Sequence, residues 1–145
     1  PAPAPRTLTV EKNPGLVRSI DQMLANVESR AEQVADARNR DRFDGIAPEP
    51  RKGLRSGHIP GSQCLPFTAL MDPDNNFVMR PANDIAAAID EAGLDMDRPI
   101  VASCGSGVTA GLLAFGFYLL GKDDAAVYDG SWTEWGGRED TPVET

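Results

Sequence analysis

The sequence predicts an α/β fold with a mostly parallel central sheet and helices on both of its faces, on three observations. Short apolar runs alternate along the chain with segments of helical periodicity, the pattern that builds parallel sheets. One run, Pro99-Ile100-Val101-Ala102-Ser103, is compact and apolar, as a buried central strand must be. A length of 145 residues accommodates one such layered core and not two.

Residues 1–15 are rich in proline and end in Asn13-Pro14-Gly15. Alternating Pro and Ala favours an extended, semi-rigid spacer. This stretch therefore reads as an interdomain linker or N-terminal arm, and the chain as the second half of something longer. Ser19 to Ser29 reads as a helix, with Ser19 and Gln22 forming a capping box and Ile20, Met23, Leu24 and Val27 at helical spacing. A short strand is expected within Ala31 to Ala37, leading into a polar loop. The segment from Arg38 to Gly61 is long and irregular. Cys64 to Phe67 is a short apolar stretch interrupted by Pro66, which suits a sheet edge. Asp72-Pro73-Asp74-Asn75-Asn76 is a turn cluster. Pro81 to Ala92 is helical, with Ile85, Ala88, Ile89 and Ala92 on one face, and Gly93 stops it. Thr109 to Leu120 is an apolar helix closed by Gly121. Ala125 to Tyr128 is a further strand, after which Asp129-Gly130-Ser131 turns into Trp132 and Trp135. Both tryptophans are expected to pack against the sheet, with one able to border a substrate pocket.

Net charge and hydropathy exclude several classes. A formal charge of -8 disfavours nucleic acid and anionic membrane as partners, because both need a basic surface. No apolar run reaches the length of a membrane span, and PAPAPRTLTV has no signal-peptide pattern, so a cytoplasmic location is the default expectation. Two cysteines, Cys64 and Cys104, are too few for a disulfide scaffold, and their spacing suits no zinc site. The Arg38–Gly61 segment holds six of the 14 basic residues (Arg38, Arg40, Arg42, Arg51, Lys52 and Arg55), opposed only by Asp41, Asp44 and Glu49. Such a local excess points either to an anionic ligand or to a solvated loop with surface ion pairs.

The strongest signal is Cys104-Gly105-Ser106-Gly107-Val108-Thr109, between the buried strand and the apolar helix. Ligands of open α/β sheets bind at the carboxyl ends of strands. Gly105 and Gly107 let the backbone curl, so that successive amides can turn inward as an anion-binding nest backed by the helix N-terminus. Those donors should hold Cys104 as a thiolate, below the free value of about 8.5, and should equally suit an anionic persulfide. Cys64, in Gln63-Cys64-Leu65-Pro66, has no such setting and reads as a packing residue. A phosphate-cleaving cysteine loop would end in an arginine, but Ala110 stands there and the loop has no basic side chain.

Asp36-Ala37-Arg38, Gly57-His58-Ile59-Pro60-Gly61-Ser62, the Cys104 loop and Tyr128-Asp129-Gly130-Ser131-Trp132 occur in this order, and together they resemble the rhodanese superfamily. The resemblance covers nearly the whole chain after the linker and is strongest to the second, catalytic domain of two-domain sulfurtransferases. The neutral loop is similar to the 3-mercaptopyruvate branch, whereas the thiosulfate branch carries basic residues just after the cysteine.

The resemblance implies a rhodanese-like domain over residues 16–145. It implies Cys104 as the catalytic persulfide carrier and Gly105, Ser106, Gly107, Val108 and Thr109 as the active-site loop. Arg42 and Arg51 resemble the family's carboxylate-binding arginines, which suits a bidentate clamp on mercaptopyruvate. His58, the only histidine, belongs to a turn that is structural in the family. No metal or organic cofactor is implied. The sulfur acceptor would be a thiol such as thioredoxin, or cyanide. An N-terminal rhodanese-like domain would be missing, leaving the pocket open on one side and an apolar interdomain face exposed. Two alternatives stay open: a thiosulfate:cyanide sulfurtransferase, and a non-catalytic rhodanese-like binding module, which usually lacks the loop cysteine.

Overall fold

The computed structural model describes Thr7 and residues 9–145. Residues 1–6 and Leu8 of the expected N-terminal spacer lie outside the described residues. Its last part, Pro14–Leu16, is a single 3₁₀ turn whose N-cap Asn13 accepts from the Gly15 amide. The chain then runs through β1 (Val17–Arg18), α1 (Ile20–Ser29), β2 (Gln33–Asp36), α2 (Arg40–Phe43) and β3 (Gln63–Cys64). A small hairpin follows, β4 (Met71–Asp72) and β5 (Val78–Met79), and then α3 (Ala82–Glu91), β6 (Ile100–Ser103), α4 (Val108–Leu119), β7 (Ala126–Tyr128) and α5 (Ser131–Trp135).

The main sheet has five strands in the order β1-β7-β6-β2-β3, all parallel. The central strands β2 and β6 are buried at every position. Alternation along them feeds two cores. Ala35, Ile100 and Ala102 face α3 and α4 through Ile85, Ile89, Leu113 and Phe117. Val34 and Val101 face α1 and α5 through Met23, Trp132 and Trp135. Helices cover both faces, as expected, and the short β3 lies at the edge, where Pro66 is tolerated.

Ser19 and Gln22 form the expected capping box on α1: the Gln22 amide donates to Ser19 Oγ at 3.4 Å and the Ser19 amide to Gln22 Oε1 at 2.8 Å. Gly93 leaves α3 at φ +76, the left-handed conformation that ends helices. Besides the hairpin β4–β5 around the expected turn cluster, three elements differ from expectation. β1 has only two residues, too few for any periodicity, and pairing with β7 creates it. α2 forms in the supposedly irregular segment, capped by the Asn39 side chain on the Arg42 amide. α5 occupies what reads as a turn, because Ser131 enters it at φ +49, which a serine rarely adopts. One further fit places the wall of the site: Gly116 on α4 has no Cβ, and one built there would stand 2.8 Å from Leu70 Cδ1. The Phe67–Leu70 turn thereby packs close onto α4.

Candidate active site

The register of the sheet brings the ends of β2 and β6 together. Asp36 pairs with Ser103, and the Ala37 amide donates to the Ser103 carbonyl at 2.9 Å. Arg38 and Cys104 therefore leave the sheet side by side. Cys104 is 1% exposed, yet it lines a cavity of about 460 Å³ together with Gly105, Ser106, Val108 and Thr109. Arg42, Arg51 and Glu49 line the same cavity. The sequence-predicted site residues are thus gathered in one place, Gly107 being the one of them that does not line the cavity.

The loop is a nest. The Gly107 amide stands 3.1 Å from Cys104 Sγ and the Ser106 amide 3.4 Å. Gly107 takes φ +87, and a Cβ there would lie 2.8 Å from the Asp129 carbonyl oxygen, so only glycine fits. The carbonyls of the loop face the other way, because α5 takes them. The Trp132 amide donates to the Cys104 carbonyl at 2.9 Å, and the Thr133 amide donates to the Gly105 carbonyl at 2.9 Å. Thr133 Oγ1 donates to that same Gly105 carbonyl at 2.5 Å. Ser131 Oγ accepts from the Cys104 amide at 3.1 Å and donates to the Tyr128 carbonyl at 2.8 Å. With the carbonyls drawn outward, the amides after Cys104 are left to face its sulfur.

Burial pushes the Cys104 thiol up, but the Thr109 hydroxyl and the Ser106 and Ala110 amides outweigh it and leave it below its ordinary value. Cys64 goes the other way: burial pushes it up to about 11, and its thiol donates to the Arg38 carbonyl at 3.5 Å. The two thiols should separate in a pH-dependent alkylation. With iodoacetamide, mass spectrometry should show Cys104 labelled with a midpoint below that of a free thiol, and Cys64 unlabelled at neutral pH in the folded chain. Equal labelling of both would contradict the nest.

The five arginines among the six basic residues separate into different roles. Arg38 is 2% exposed and binds Asp36 through Nε and Nη2, Glu49 through Nη1 at 2.8 Å, and the Gly57 carbonyl at 2.8 Å. Its guanidinium also lies 4.3 Å from the Trp132 ring centre. Arg55 is tied to the carbonyls of Trp135, Gly136 and Thr141. Arg40 reaches Asp44 at the surface. Arg42 binds Glu49, and Arg51 donates to Thr133 Oγ1, so these two remain at the cavity with faces free for an anion.

Two expectations about neighbours are decided by packing. Neither tryptophan borders the cavity: both are fully buried, and their indole N–H groups donate to the Arg55 and Pro142 carbonyls. They are core residues because α5 lies flat on the sheet. His58 stacks on Phe43 at 3.7 Å, and its Nδ1 lies 2.8 Å from the Phe43 carbonyl, away from Cys104. Among the described residues, no group of three or more His, Cys, Asp or Glu side chains is placed to hold a metal ion.

The model of the rhodanese-like domain family matches residues 19–138. The chain belongs to the rhodanese family. A relative named thiosulfate/3-mercaptopyruvate sulfurtransferase 1, mitochondrial, from Arabidopsis thaliana is 49% identical over 98% of this chain and 37% of its own length. The 3-mercaptopyruvate sulfurtransferase of Homo sapiens is 41% identical over 92% of this chain and 44% of its own. The crystal structure of SseA from Escherichia coli, described as a 3-mercaptopyruvate sulfotransferase, matches with TM-score 0.72 at 31% identity, over 87% of this chain and 45% of that one. This rhodanese domain therefore spans less than half the length of the curated relatives it matches.

Beyond the loop and the two arginines, four residues shape the site that a reading of the sequence passes over. Ser131 and Arg38 stand in motifs that carry the family resemblance, with no role at the site attached to them. Glu49 is one of three acids opposing six bases, and Thr133 carries no sequence signal. Their burial and bonding are long-range properties, except for the short step from Asp36 to Arg38.

Proposed function

We propose that this rhodanese domain carries sulfur from 3-mercaptopyruvate on Cys104, releasing pyruvate and passing the sulfur to a thiol acceptor such as thioredoxin, or to cyanide. The observation that carries this reading is the pair of inward amides on Cys104 Sγ in a cavity that Arg42 and Arg51 also line. The thiolate attacks the thiol sulfur of the donor. A bond forms between the two sulfurs, the carbon–sulfur bond breaks, and its electron pair passes to carbon, giving the enolate of pyruvate. The proton of the donor thiol balances the step by passing to the enolate, with the Ser106 hydroxyl at the cavity as the relay. The persulfide anion then rests on the same amides. Attack by the acceptor on its outer sulfur returns Cys104 to the thiolate.

In this reading Arg42 and Arg51 clamp the donor carboxylate. Arg42→Ala and Arg51→Ala should each raise KM for 3-mercaptopyruvate by about ten-fold or more, with thiosulfate turnover much less affected. Steady-state assays of both donors on the same preparations decide it. Equal losses for the two donors would sink the carboxylate role.

Thiosulfate as donor is the second reading. It is favoured by the Arg42 guanidinium over Gly105, where a built Cβ would come within 3.0 Å of Nη2. That places a cation close enough to the sulfur site to compensate part of a dianion, which the loop itself does not do. A 40% identical relative from Rattus norvegicus is named thiosulfate sulfurtransferase.

The proposal includes an N-terminal rhodanese-like domain that closes the open side of the cavity. Val108, at the rim, is 77% exposed, and Phe115, Tyr118 and Leu119 on the same helix are also exposed. It also includes a cytoplasmic site of action: both cysteines are free, as in a reducing compartment. The relative named mitochondrial makes the mitochondrion the competing location.

A further inference from the structure

Glu49 is a buried carboxylate at the wall of the cavity, its side chain 2% exposed. It is not free to act on a substrate, because both of its oxygens are taken. Oε1 accepts from Arg38 Nη1 at 2.8 Å and from Arg42 Nε at 3.3 Å, and Oε2 accepts from Arg42 Nη2 at 2.6 Å. The bond to Arg38 continues through Asp36 to the end of β2, beside the strand that carries Cys104. The carboxylate therefore stands on the rigid part of the sheet and grips Arg42 from there.

The grip is specific. Glu49 engages the Nε/Nη2 side of the guanidinium with two parallel bonds. What remains for a ligand is the opposite end, Nη1 with the second hydrogen of Nη2. That end lies over the loop, where a Cβ on Gly105 would stand 3.0 Å from Nη2 and 3.9 Å from Nη1. Gly105, whose lack of a side chain permits this approach, and Glu49, which fixes the rotation of the guanidinium, thus act on the same group. An unanchored arginine would spend its rotamer freedom on each binding event.

We propose that Glu49 is a positioning residue for anion recognition: it turns the Nη1/Nη2 end of Arg42 toward the Cys104 loop and so sets where the carboxylate of a donor sits relative to the sulfur. This rests on the reading that the donor carries a carboxylate. It has a counterintuitive sign. Glu49→Gln removes a negative charge beside the cavity, so simple electrostatics expects anions to be received better. Positioning expects them to be received worse.

Alkylation of Cys104 separates the two without needing sulfur transfer. Iodoacetate carries a carboxylate and iodoacetamide does not, so the ratio of their rates at Cys104 reports how well a carboxylate is guided to the sulfur. In Glu49→Gln the ratio should fall about five-fold, the iodoacetamide rate dividing out any change in the reactivity of the thiolate itself. In an Arg42→Ala background, Glu49→Gln should leave the ratio unchanged. Glu49→Asp keeps the charge but shortens the reach, and it should lower the ratio as well; it stands in if the neutral variant does not fold. A rise in the ratio, or the same fall with Arg42 already removed, overturns the proposal. Absence of mercaptopyruvate turnover in the unmodified chain with the ratio falling as described would count against the donor and leave Glu49's role standing.

Discussion

Replacing Cys104 with serine should abolish sulfur loading altogether. The unmodified chain, incubated with 3-mercaptopyruvate or thiosulfate and desalted, should gain about 32 Da, one sulfur atom on the thiolate. Cys104→Ser should gain nothing, and turnover should fall on the order of 10⁴-fold or more, since a serine hydroxyl in the same nest stays protonated and forms no persulfide. The fold should survive: serine is close in size to cysteine, and the amides of Ser106 and Gly107 that now face the sulfur can face a hydroxyl oxygen. Stability within about 1 kcal/mol of the parent would show that the loss is chemical. Cys64→Ser is the matching control and should keep the mass gain, because burial holds that thiol protonated, at about 11. Sulfur found on Cys64, or retained by Cys104→Ser, would remove the basis for the mechanism. An inactive chain that still gains the sulfur would instead locate the defect at the acceptor step, and that outcome would fit a cavity awaiting a second domain.

Arg38→Leu should be the most destabilising single change in the site. Arg38 is enclosed by Asp36 and Glu49, and the side chains of all three are 1–2% exposed. Leucine would leave two buried carboxylates without their shared cation, and breaking a buried pair in this way costs roughly 3–5 kcal/mol. That is a large share of the about 5–15 kcal/mol that holds a domain of this size together. The lost contact with the Trp132 ring adds to the cost and loosens α5, which holds the Cys104 and Gly105 carbonyls. Urea unfolding followed by tryptophan fluorescence reads both effects. Arg42→Ala is the comparison, because Arg42 shares Glu49 but is 24% exposed, so its loss should cost only about 1 kcal/mol. If the two variants were equally stable, Arg38 would not be the anchor of the site. Arg38→Lys should fall between them, since an ammonium keeps the charge but cannot form the fork to Asp36.

These two variants mark different kinds of information in the chain. Cys104 is readable because its meaning is local: an apolar strand, two glycines and an apolar helix sit within a few residues of it, and parallel sheets put such junctions at the binding edge. The helices α1, α3 and α4 are readable for the same reason, through capping and periodicity. Arg42 and Arg51 come from a family resemblance and not from charge, since charge alone gives the same weight to Arg38, which the structure buries, and to Arg55, which it ties to backbone carbonyls. α2 and α5 are one-turn elements whose formation depends on the Asn39 cap and on a serine at φ +49.

Legible in the chain are the layered α/β architecture, the buried apolar strand before Cys104, and a cysteine at a strand end before a helix, because backbone periodicity and glycine placement act over neighbouring residues. Long-range packing fixes what the sequence leaves open: which of the clustered arginines are tied up away from the cavity, and which bonds draw the loop carbonyls away from Cys104. Those choices depend on partners far along the chain: Thr133 reaches Gly105 across 28 residues, and Ser131 reaches Cys104 across 27. Only burial turns a surface charge into a fixed one, and the chain must close on itself before any residue is buried.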